Sequence, residues 1–218
     1  MRNLLIIFCT AIISFSCSPT SNISPEKLAK NACECFSQLN SGSIDERSTP
    51  CLSTPINDNQ EEILDKYYSN LTLQDALTTH MMKVTVVMIQ SCDKYFDELD
   101  GMFTNMYPET PDSDVILDIQ ALQDSINDIQ LADSIKLNLL HKKLALLTKS
   151  RQLEEALNLA DSISNDYSES ETYLIRTYIF TLQGKYEMAL EQVNKAVNAG
   201  NKGYNIFGEL IKRKKKDR

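Results

Sequence analysis

The chain reads as all-α, and three observations predict it. Six glycines, six prolines and no tryptophan in 218 residues suit helices joined by short loops better than a β-sandwich. Apolar residues recur at three- and four-residue steps, the spacing of one helix face. In the second half these steps return with a period of 33 residues, which marks stacked helical hairpins. The expected architecture is a disulfide-stapled helical segment over 24–100, a linker over 101–113, antiparallel helical hairpins over 114–211 and a basic tail over 212–218.

At the N-terminus, Arg2 precedes an uncharged apolar run, Leu4 to Phe15, about 12 residues long. That length suits the apolar region of an export signal and falls short of the roughly 20 residues a spanning helix needs. Ser14-Phe15-Ser16-Cys17 then sets a small residue directly before a cysteine. The stretch resembles the lipobox of bacterial lipoproteins of the Bacteroidetes type, with Ser14 where leucine is usual. The resemblance implies removal of residues 1–16, lipid (palmitate among its acyl chains) on the Cys17 thiol, and a flexible tether over 17–23. At about 0.8 kcal/mol per buried methylene, two or three acyl chains hold a protein at a membrane durably. No Asp follows Cys17 and the tether lacks an acidic cluster, so the expected location is the periplasmic face of the outer membrane. An ordinary secretory signal followed by a free cysteine is the competing reading.

Four further cysteines, Cys33, Cys35, Cys51 and Cys92, lie in a helical setting. Ser24-Pro25 is an N-cap with proline in the first turn, and Leu28, Ala32, Cys33, Phe36 and Leu39 follow as an apolar stripe. Residues 40–59 have loop composition, a short helix runs through Ile63, Leu64, Tyr67 and Tyr68, and the longest helix is expected over 72–99. An even cysteine count in an exported chain favours disulfides. Two residues apart, roughly 200° around a helix, Cys33 and Cys35 face different partners. Cys33 shares the apolar stripe with Cys92, and Cys35 points towards the Cys51 loop. The pairing expected is Cys33–Cys92 and Cys35–Cys51, one of three connectivities. Zinc is the competing use of the thiols, but Cys-x-Cys lacks the spacing of zinc knuckles. Redox catalysis is weaker still, because the motif is not Cys-x-x-Cys.

Beyond the linker, Arg151-Gln152-Leu153-Glu154-Glu155-Ala156-Leu157 aligns with Lys185-Tyr186-Glu187-Met188-Ala189-Leu190, the alanines 33 residues apart. The second copy resembles tetratricopeptide repeats through Tyr173, Phe180, Gly184, Tyr186, Ala189, Val193 and Ala196. Asn201 stands where proline is usual, and Thr177 where glycine or alanine is preferred, so looser packing is expected there. The first copy keeps Leu140, Leu144, Leu147, Ala156 and Ala160 and lacks the turn glycine. A generic antiparallel helix pair is the competing reading. Val115, Ile119, Leu122, Ile126 and Ile129 suit a preceding helix, and Tyr204, Phe207 and Ile211 a terminal cap. The run Lys212 to Lys216 suits a helix C-terminus, where cations oppose the dipole, and reads as a solvated tail rather than a contact with anionic lipid or an acidic partner.

The resemblance implies a groove lined by the first helix of each repeat. Carried over, Asn138, His141, Ala145 and Thr148, with Leu174, Tyr178 and Thr181, face a peptide or protein partner. His141 and Ala145 stand where a carboxylate clamp needs lysine and asparagine, so a chaperone-type C-terminus is not the expected ligand. An envelope scaffold is the second reading. Asp124-Ser125-Ile126, Asp133-Ser134-Ile135 and Asp161-Ser162-Ile163 resemble the Bacteroidetes O-glycosylation signal, which makes Ser125, Ser134 and Ser162 candidate sites; helix decoration explains them equally well.

No catalytic constellation, cofactor motif or metal-ligand spacing is expected. His80 and His141, the only histidines, read as surface or core-edge residues, and Asp93, Asp97, Glu98 and Asp100 as a solvated acidic face. The net charge of −8 argues against a nucleic-acid partner, and no small-molecule substrate is inferred.

Overall fold

The computed structural model describes residues 22–110, 114–127 and 132–217. The segment read as an export signal, Cys17, the expected tether through residue 21, residues 111–113 and Ile129 lie outside them. The described residues are helical throughout: α1 (Pro25–Gln38), α2 (Ile44–Ser48), α3 (Thr54–Asp58), α4 (Gln60–Tyr67), α5 (Leu73–Ser91), α6 (Asp93–Met106), α7 (Asp114–Ile126), α8 (Asp133–Lys149), α9 (Leu153–Asp166), α10 (Tyr173–Leu182), α11 (Tyr186–Asn198) and α12 (Tyr204–Lys216). None of them is long and apolar enough to cross a membrane.

The cysteine segment is built on α1 and α5. Ser24 caps α1 by accepting from the Lys27 N–H, and Pro25 opens its first turn. Leu28, Ala29, Ala32 and Phe36 then bury one stripe against α5 and α6. Two cations satisfy carbonyls at the other end of α1: Lys94 donates to Ser37 and Leu39, and Arg47 to Leu39. Disulfides join Cys33 to Cys92 and Cys35 to Cys51, the pairing read from the helical geometry.

Four expectations change. Residues 40–59 are not one loop: Ser43 and Glu46 form a reciprocal capping box that starts α2, and a π-helical turn over Thr49–Ser53 leads into α3. The long helix expected over 72–99 is two helices, because Cys92 takes an extended conformation (φ −115°, ψ 99°) and redirects the chain. No proline or glycine announces that break. Residues 101–106, read as linker, complete α6. Residues 212–216, read as a tail, complete α12, whose Arg213, Lys214 and Lys215 pair with Asp93, Asp100 and Glu187. Glu98 (which pairs with Arg47) and Asp100 therefore lie in part-buried ion pairs across elements, whereas Asp93, paired with Arg213, and Asp97 stay exposed as expected.

The position of His80 also differs from expectation. It is fully buried, with the Tyr68 hydroxyl 3.3 Å from Nδ1 and the Tyr67 and Tyr68 rings alongside. Burial pushes its imidazole below the ordinary value; Lys83 adds to the fall, while the Ile23 carbonyl and Glu26 oppose it. A histidine kept neutral in the fold takes up its proton first in the unfolded chain. Its contribution to stability is therefore whole above about pH 6.5 and declines as pH falls from there towards the lowered native value. Urea midpoints at pH 7.5 and pH 5 should fall in that order, and His80→Leu should flatten part of the drop. An equal drop in the variant would remove His80 from the account.

In the second half α8 pairs with α9, and α10 with α11, as antiparallel hairpins. Close approach depends on small residues: Ala156, Ala160, Ala189 and Ala196 have no exposed surface. The hairpin turns are equivalent. Gly184 (φ 71°) and Arg151 (φ 61°) stand 33 residues apart, each a left-handed residue after the first helix of its hairpin. The first copy thus keeps the turn geometry without glycine. Finally, α12 packs on α11 and also on α5, where Ile206 and Leu210 join the core of the cysteine segment. Gly208 permits this, since a Cβ there would stand 3.2 Å from Val193 Cγ1.

Candidate functional site

The face expected from the repeat resemblance lies on α8 and α10. Asn138, His141 and Leu174 are exposed or half-exposed on it, and His141 Nε2 lies 3.7 Å from a Glu171 carboxylate oxygen. Ala145 is exposed too, but lines a shallow depression between α7 and α8 with Asp118, Ala121 and Lys142. Thr148 is not on the groove: it is fully buried, and its hydroxyl donates to the Leu144 carbonyl. Thr181 is likewise buried and donates to the Thr177 carbonyl. The repeat resemblance put both on these helices but could not say which neighbour covers them.

Tyr178 meets the chain itself. Its ring lies 5.4 Å from Phe103, 5.4 Å from Tyr107 and 5.8 Å from Phe207, so the end of α6 covers this part of α10. The turn residue Arg151 holds that cover, donating to the carbonyls of Tyr107 (2.6 Å) and Pro108 (3.1 Å). These two bonds offset the cost of a non-glycine residue in the left-handed region. Burial pushes the phenols of Tyr107 and Tyr178 well above and above their ordinary value, keeping both as neutral packing groups.

Beside this cluster a pocket of about 160 Å³ opens between α6, α10 and α12. Thr177, the position where looser packing was expected, is buried in its wall, and its hydroxyl donates to the Tyr173 carbonyl at 2.8 Å. Lys214 and Asp100 form an ion pair in the same wall. Sequence reading missed Leu99, Met102, Phe103 and Phe207 as site residues. Their helices meet only because α12 returns across both halves of the chain.

Ser125, in the last turn of α7, Ser134, in the first turn of α8, and Ser162, within α9, are all exposed. Among the described residues no group of three or more His, Cys, Asp or Glu is placed to hold a metal ion. No family model, curated protein or solved structure matches the chain, so the functional reading rests on its own residues.

Proposed function

We propose that the chain is a non-catalytic interaction module of the bacterial envelope, held at the outer membrane by lipid on Cys17. It binds a peptide or protein partner on the open part of the α8–α10 face. The observation that carries the reading is the division of that face: Tyr178 is occupied by α6, whereas Asn138, His141 and Leu174 remain accessible beside it. Leu174, an exposed large apolar residue, is the natural anchor within it. The tetratricopeptide resemblance supports the use of this face.

A photo-crosslinking residue at position 174 should capture a partner in living cells, and the same residue at Lys149 should not. Leu174→Asp should reduce the recovery of that partner at least tenfold with the helical content unchanged. Equal capture at both positions would refute the assignment. Intact mass of the mature protein tests the lipid on Cys17 and any glycan on Ser125, Ser134 or Ser162.

A scaffold is the second reading, favoured by the way α12 ties both halves into one continuous body. Constant co-purification with one stoichiometric complex, unaffected by Leu174→Asp, distinguishes it.

A further inference from the structure

We propose that the pocket between α6, α10 and α12 binds one small apolar group, the size of a phenyl ring or a six-carbon aliphatic chain. This deepens the interaction-module reading, on which it rests for the biological role of the group but not for the binding chemistry.

The volume sets the size. About 160 Å³ is close to the roughly 150 Å³ of an apolar cavity that stays dry and accepts benzene. The lining sets the chemistry. Leu99, Met102, Phe103, Phe207, Leu210 and Ile211 surround the space with carbon and sulfur. Most polar groups in the wall are already engaged: Thr177 and Thr181 donate to carbonyls of their own helix and Lys214 pairs with Asp100, which leaves the Tyr178 phenol as the remaining polar side chain of the lining. A polar ligand would lose its hydrogen bonds to water and recover few inside.

The entrance adds a third argument. Met102 and Met106 are 46% and 51% exposed, two large apolar side chains on the end of α6. Methionine has no branch and three rotatable bonds, so it can close on an arriving group without backbone movement, and its sulfur favours aromatic edges. The pocket touches α6 of the cysteine segment, α10 of the second hairpin and the returning α12. A bound group would therefore sit across the junction of the two halves.

The test uses the full oxidised chain with 13C-labelled methionine methyls and two free probes, toluene and n-hexane. Either probe should shift the Met102 and Met106 signals saturably, with a dissociation constant of about 0.1–1 mM, below the ceiling for so few heavy atoms. Phenol should bind at least tenfold more weakly than toluene. Thr181→Leu fills the space and should weaken toluene at least tenfold. Leu210→Ala enlarges it and should turn the preference towards naphthalene, which keeps the test decisive if the first variant folds poorly. No saturable shift with either probe, or unchanged toluene affinity in both variants, overturns the proposal. A capped Gly-Phe-Gly peptide separates the sources. Competition with toluene assigns the group to a partner's side chain; toluene binding without competition assigns it to a free small molecule. A cellular partner lost in Leu174→Asp but retained in Thr181→Leu leaves the groove standing and places its anchor outside the pocket. If toluene binds while Leu174→Asp changes no capture, the pocket stands and the groove reading fails.

Discussion

Replacing Phe36 with alanine is expected to lower stability by about 3–5 kcal/mol, the range for a large aromatic removed from a packed core. Phe36 has no exposed surface and joins three elements. It lies on α1, meets the Tyr95 ring of α6 edge-on at 5.3 Å, and carries the Arg47 guanidinium of α2 at 4.4 Å from its centroid. Truncation removes the transfer term, leaves a cavity that three helices can only partly close, and takes the aromatic face from beneath a cation. Phe36→Leu keeps most of the volume and should cost roughly half as much. Urea denaturation followed by far-ultraviolet circular dichroism measures both. A loss below about 1 kcal/mol for the alanine variant would mean that this ring does not organise the cysteine segment.

The second large effect comes from the disulfides, and their order is the prediction. Cys33–Cys92 spans 59 residues of sequence and Cys35–Cys51 spans 16. The chain-entropy account gives about 4 kcal/mol for the longer closure and about 3 for the shorter. The double variant Cys33→Ala/Cys92→Ala should therefore be less stable than Cys35→Ala/Cys51→Ala by about 1 kcal/mol. Cys92 strengthens the asymmetry because it is also the residue at which α5 ends and α6 begins. Without its bond to α1 the direction of α6 is less constrained, and α6 supplies both the cover over Tyr178 and one wall of the pocket. Equal midpoints in chemical denaturation, or the reverse order, would show that loop closure does not govern these two bonds.

Local signals were legible wherever a residue acts on its own helix. Ser24-Pro25 announced the start of α1, the alanines of the 33-residue period announced the close hairpins, and opposite-facing Cys33 and Cys35 announced two different disulfide partners. Where the partner lies far along the chain, the same reasoning failed. Arg47 looked like a loop charge because Glu98 is 51 residues away, and the basic run of α12 looked like a tail because Asp93 and Asp100 are more than 100 residues away. His80 carried no local mark of burial; α1, α4 and α5 close around it only in the folded chain.

The candidate site divides in the same way. The repeat resemblance placed Asn138, His141, Leu174 and Tyr178 on the first helices of the hairpins, and the helices themselves were legible because helical phase is a property of the segment. Which of them stays open is not, since it depends on what else packs there. Thr148 and Thr181 sank into the core, and Tyr178 was taken by Phe103 and Tyr107.

By itself, then, the sequence determined an all-helical chain, its hairpin period and its cysteine pairing. These follow from spacing at 3.6 residues per turn and from capping, both read within a few residues. Only the tertiary structure decided that α5 and α6 part at Cys92, that α6 covers Tyr178, and that α12 returns to close a pocket with both halves. Those outcomes depend on contacts between residues about 70 to 120 positions apart, where apolar burial and ion pairing select among many helix arrangements that local spacing leaves equally open.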